Sequence, residues 1–336
     1  MRAALACLLL LCGALPALGQ QMPRLPRETF DVIPPAERVH GERGDFTPWQ
    51  AGCRVGPTDW ARRRIVDIAV QEWGAFGFQT VDRTSVDTRV LPEGLVAASR
   101  NPELPRPRAG YSMIRQGASE ASRRVSADIA GYWTATPDAV RALSRQNRAW
   151  QGPGGDAVNW LEPWSAAFVS WVMCEAGLGD MAQFERDISH RVYIDQAIRA
   201  RDGAAPRAAF VAHDAGEEAV VPGDLLCNAR GSASYRTLAD RRPEMDRYAP
   251  AHCDIVVKVD GPGGRILVIG GNVDQSVTLT VLPAIQQPGE NLKPLGEADL
   301  DGARTVFAHL KLRSPSIERD ALDNTPTIAA LERQPG

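Results

Sequence analysis

The first sustained apolar period falls in WARRRIVDIAVQEWGAF, just after the capping pair Thr58-Asp59. Ile65, Ile68, Ala69, Val70, Trp73 and Phe76 recur at helical spacing and predict an amphipathic helix. Residues 79–120 hold several prolines and little periodicity, and read as a long loop. Arg123–Trp133 and Pro137–Trp150 predict two further helices, with Pro137 suited to a first helical turn. QGPGGDAVN (151–159) is a flexible break. From Trp164 to Ala176 the chain is apolar on nearly every side, with Gly177 placed to stop it. A helix that is apolar all round is a buried central one. Met181–Ala200 is a more polar helical stretch.

The pattern then changes. Ala219–Arg230 is a Pro-Gly turn followed by a short strand, and 231–250 is a polar loop. His252–Asp260 and Arg265–Val273 predict two strands around a turn at Gly261–Gly264; Ser276–Leu282 and Thr305–Arg313 predict two more. A turn centred between Pro262 and Gly263 sets His252 opposite Val273, so Asn272 becomes its close neighbour. Helices first and antiparallel strands afterwards argue for an α+β domain and against a doubly wound parallel sheet. The expected division is a signal peptide at 1–19, an extended arm at 20–57, one domain at 58–313 with a loose insertion at 79–120, and a disordered tail at 314–336.

The start, MRAALACLLLLCGALPALGQQ, has a basic residue, a short apolar run and small residues before a cut after Gly19. This predicts an exported protein. The run is short of the about 20 residues that span a bilayer, and Leu11 stands where a lipid-attachment signal wants a small residue. The 38 basic residues against 41 acidic ones, net charge -3, argue against a nucleic-acid binder. Past the cut the chain keeps Cys53, Cys174, Cys227 and Cys253, which allow three full pairings; Cys227 and Cys253 fall near the same end of consecutive strands. There is no CxxC and no Cys/His group at zinc-finger spacing, and no metal or cofactor is expected.

Three positions stand out for chemistry. Ser165 begins the buried helix, His252 opens one strand, and Asn272 closes the next. A helix N-terminus favours developing negative charge at a nucleophile. An imidazole takes the nucleophile's proton, and a third polar group orients the ring. EPWSAAFVSWVM, PGDLLC, HCDIVV and IGGNVDQSV together resemble the DUF2272 family, which is similar to NlpC-type and CHAP-type cell-wall peptidases of the papain-like superfamily. The resemblance implies a papain-like fold with N-terminal helices packed on a small antiparallel β-sheet. It also implies catalytic roles for Ser165, His252 and Asn272, and peptidoglycan or another cell-envelope ligand as partner. In the NlpC-type and CHAP-type enzymes the position of Ser165 is a cysteine. A hydroxyl is far less acidic than a thiol and depends on base help during attack. The implied alternatives are an exported amide or peptide hydrolase with serine as nucleophile, or an inactive member that binds an envelope ligand or protein.

Plainer roles exist for the same residues. Ser165 suits a helix N-cap, and Asn272 after Gly270-Gly271 suits a bulge. Asp254 shares a strand face with His252 and is the second choice as its orienter. Cys174 is nine residues past Ser165 and faces the other side of the helix at about 100° per residue. His190 and Tyr193 either line the cleft or sit on the surface. Trp160 and Trp164 either belong to the core or form a stacking wall for substrate. Asp224 reads as a turn residue, and His213 and His309 read as incidental.

Overall fold

The computed structural model describes residues 21–84, 112–114, 117–231, 233–295 and 306–333. The expected signal peptide and most of the expected loose insertion lie outside the described residues.

The long apolar stripe forms α2 (Ala61–Ala75), whose Ile65, Ile68, Ala69, Val70 and Trp73 are buried. α3 (Ser126–Trp133) and α4 (Ala139–Gln151) follow. Every residue of α5 (Ser165–Glu175) is buried, as a helix apolar on all sides requires. Gly177 ends it at φ +105°, a left-handed conformation that suits glycine, and the Leu178 amide closes on the Met173 carbonyl at 3.0 Å. α6 (His190–Arg201) starts nine residues later than the polar stretch suggested.

Nine of the described strands form one mixed sheet. The path runs from β4 (Ser112–Ile114) through β3 (Thr80–Asp82), β9 (Ser276–Ile285), β8 (Arg265–Val273), β7 (Ala251–Asp260), β6 (Leu225–Ala229) and β11 (Val306–Leu312) to β5 (Phe210–His213); β10 (Lys293–Pro294) pairs with β9 off this path. The β3–β9 pair is parallel. The protein is therefore α+β, with a larger sheet than expected. The additional strands β3, β4 and β5 have three or four residues each, too few to show an alternating pattern. α2 and α5 pack on one face against Ile255, Val257, Ile269 and Leu279. A smaller apolar layer that includes Val256, Ile266, Val268 and Leu282 covers the other face.

The β7–β8 hairpin sets up the site. Asp260 pairs with Arg265 and Val259 with Ile266, the register expected from the turn. A bulge at Val257, between Val256 and Lys258, then shifts the pairing by one residue, which leaves Val256 opposite Val268 and Ile255 opposite Ile269. Toward its start β7 pairs with β6, with Asn228 opposite His252 and Cys227 opposite Cys253. β8 meanwhile bends through Gly270-Gly271 into Asn272, at φ +56°. The two strands fork, and side chains from the helices enter the gap.

The described parts of the arm and the tail carry more structure than their composition suggested. The arm carries α1 (Arg27–Phe30) and a hairpin of β1 (Val39–His40) and β2 (Thr47–Pro48). Its Arg38 is fully buried, paired with Glu175 at the end of α5 and bonded to Thr134 Oγ1 at 2.8 Å. The Cys53–Cys174 disulfide ties the arm to the same helix, and the second disulfide is Cys227–Cys253. In the tail, α7 (Pro326–Glu332) is capped by Thr325, and Ala321, Leu322 and Ile328 are buried. Apolar residues at these positions let the tail pack where a polar tail would fray. Among the described residues no helix is long and apolar enough to cross a membrane.

Candidate functional site

Ser165 is the first residue of α5, with its hydroxyl 2.7 Å from His190 Nε2. His190 in turn is the first residue of α6, so two helix starts meet here. Its other ring nitrogen, Nδ1, lies 3.1 Å from the backbone N of Cys253 on β7 and is also met by the Tyr193 hydroxyl. Tyr193 reaches it because residues three apart share a helix face. Burial, reinforced by His252 and Arg230, holds the His190 pKa well below the ordinary histidine value. Burial, with Asp254 and Asp187 adding to it, holds the Tyr193 phenol well above its own.

His252 lies beside this pair, its ring centroid 5.0 Å from that of His190. Its Nε2 bonds to Asp254 Oδ1 at 2.7 Å. The glycine at 270 is what admits this dyad. A Cβ there would sit 1.8 Å from Asp254 Oδ1 and 3.0 Å from His252 Nε2, and one at Gly271 would press on Phe168 of α5 at 2.5 Å. The Gly-Gly pair thus lets β8 pass over the dyad and the helix.

Asn272 does not serve His252. With its amide oriented by its neighbours, the oxygen accepts from the Trp164 backbone N and the nitrogen donates to Glu120 Oε2, both at 3.2 Å. Glu120 Oε2 also accepts from Trp164 Nε1 at 2.8 Å, and burial raises the Glu120 pKa. Asn272 therefore braces the residue that precedes Ser165. The orienter that contacts His252 is Asp254, two residues along the same strand face.

The direct partner of the Ser165 hydroxyl is His190, where the sequence suggested His252. The bulged β7–β8 register and the arrival of α6 explain the difference, and neither is visible as local pattern. His190 and Tyr193 sit in the site. Trp160 and Trp164 are in the core: Trp160 packs edge-on against Trp150 at 4.9 Å, and Trp164 stacks with Tyr132 at 5.9 Å. Glu120 and the Cys253 amide lacked any sequence signal. His190-x-x-Tyr193 did carry one, a helical spacing that aims two polar rings the same way. Among the described residues no group of three or more His, Cys, Asp or Glu could hold a metal ion.

Other buried ionic groups brace the frame. Asp224 joins Arg62 at 2.8 Å and His309 at 2.9 Å, and accepts from the Leu312 backbone N at 3.0 Å. Asp195 forms a two-point bond with Arg241 at 2.9 and 2.8 Å. Asp224 and His309 are thus structural partners, beyond the turn and incidental roles suggested by sequence.

A family profile for an uncharacterized protein conserved in bacteria, DUF2272, matches residues 114–312, more than half of the chain. The chain belongs to the DUF2272 family. Neither a curated protein nor a solved structure matches it. The DUF2272 region runs from β4 to β11 and contains Glu120, Ser165, His190, Tyr193, His252, Asp254 and Asn272. α2 lies outside it, although it packs on α5.

Proposed function

We propose that the protein is a hydrolase of the papain-like type, exported to the cell envelope, that cleaves an amide or peptide bond with Ser165 as nucleophile. One arrangement carries this reading: a serine at the start of a buried helix, with a histidine from α6 on its hydroxyl and a His252–Asp254 pair beside them. The first amides of a helix lack intrahelical partners and favour an oxyanion formed there. Peptidoglycan enters as the substrate through the resemblance to cell-wall peptidases. Two disulfides are in keeping with export to an oxidising compartment.

The test is covalent labelling of purified protein with a fluorophosphonate, with Ser165→Ala as control. Labelling that disappears in the variant supports the reading. A second reading, an inactive member that binds an envelope ligand or protein, is favoured by burial, because Ser165 is 5% and His252 2% exposed. It predicts an unlabelled parent, muropeptide binding without turnover, and gain of activity in Ser165→Cys, since a thiolate needs less base assistance than a hydroxyl.

A further inference from the structure

We propose that His190 serves Ser165 as a hydrogen-bond donor and not as its base, with the ring proton fixed on Nε2 by the groups that converge on Nδ1. The inference rests on the hydrolase reading for its chemistry, but its geometry stands apart from it. A backbone N–H can only donate. The Cys253 amide lies 3.1 Å from His190 Nδ1, so this nitrogen offers its lone pair and carries no proton. The Tyr193 hydroxyl donates to the same nitrogen from the next turn of α6. A neutral imidazole has one N–H, which therefore sits on Nε2, 2.7 Å from Ser165 Oγ. Oγ accepts this bond, and its own hydrogen points elsewhere.

The groups facing the ring keep it in this state. Ser165 comes from α5, Tyr193 from α6, and the Cys253 amide and His252 from β7, with the Arg230 charge following β6. The Cys227–Cys253 disulfide holds the donating amide in place across the strand pair. His252 has the complementary pattern. Asp254 takes its Nε2–H at 2.7 Å, which leaves the lone pair on Nδ1.

The two rings then divide the work. Oγ bonds to the carbonyl carbon, the C=O electron pair moves onto oxygen, and the hydroxyl proton passes to His252 Nδ1. Collapse breaks the C–N bond, and the amine leaves with that proton. Water attacks the acyl-serine in the same way, giving a proton to Nδ1, and Ser165 departs with it. His190 keeps its proton throughout and donates to Oγ as negative charge develops there.

Long-range ¹H–¹⁵N spectra of the ¹⁵N-histidine-labelled full chain, between pH 5 and 9, test the assignment without need of activity. His190 is expected to show a bare Nδ1 and a protonated Nε2 throughout. Fluorophosphonate labelling rates are measured in parallel. His190→Gln keeps an amide donor for Oγ, and is expected to slow labelling by about tenfold at most without moving its pH midpoint. His252→Gln is expected to slow it by about 10²–10⁴-fold and to abolish the pH dependence. A protonated Nδ1, or a His190 that titrates together with the labelling rate, overturns the proposal. Absence of labelling with the expected His190 spectrum removes the hydrolase reading and leaves the donor assignment standing.

Discussion

Two buried groups give the protein opposing responses to pH. Burial raises the Asp67 carboxyl to about 6, with Arg63 offsetting part of the rise. Its Oδ1 has no hydrogen-bond partner among the described residues. The folded state therefore holds a proton that the unfolded chain, with a pKa of 3.8, has lost, and stability from this group falls as pH rises from about 4 through 6. Asp67→Asn should gain of order 2–3 kcal/mol over the parent between pH 4 and pH 7.5, read from urea unfolding at both values. His190 has the opposite sign. Its folded pKa is well below 6.5, so the unfolded chain binds the extra proton. Its contribution is complete above pH 6.5 and declines as pH falls below that value. His190→Gln should flatten this acid-side decline in the same measurement. Neither shift was legible in the sequence, since both arise from burial by residues distant along the chain.

The β7–β8 fork is the element on which the site depends. The turn residues Gly261–Gly264 fixed the register near Asp260–Arg265, and that part followed from local sequence. The bulge at Val257 and the bend at Gly270-Gly271 did not; the bend answers to the Asp254 side chain and to Phe168 of α5, both distant along the chain. Gly270→Ala places a methyl where the carboxylate stands, and should separate His252 from Asp254. Its expected signature is a well-folded protein, by circular dichroism, with fluorophosphonate labelling reduced at least about tenfold. Unchanged labelling would mean that the dyad takes no part in activating Ser165. α5 itself was plain from its all-round apolar pattern, expected over Trp164–Ala176 and found at Ser165–Glu175. The short strands β3, β4 and β5 were hidden for want of length.

Over the whole molecule, the arm and tail are fastened to the domain by a few long-range links. Cys53–Cys174 spans 121 residues and Cys227–Cys253 spans 26. In the loop-entropy account, opening the first costs about 5 kcal/mol and opening the second about 3.5. The double variant Cys53→Ser with Cys174→Ser should therefore unfold at lower urea than Cys227→Ser with Cys253→Ser. The reverse order would place the main stabilisation at the β6–β7 bridge. The same contrast between near and far explains what was readable. Helix stripes, strand alternation, glycine stops and the α+β segregation follow from interactions among neighbours a few residues apart, so the order of residues was enough for them. The chemistry at Ser165 was not of that kind. His190 lies 25 residues away, and the Cys253 amide that orients it another 63. Which nitrogen meets which oxygen there depends on how α5, α6 and the forked strands pack, and packing joins distant parts of the chain whose proximity leaves no trace in local pattern.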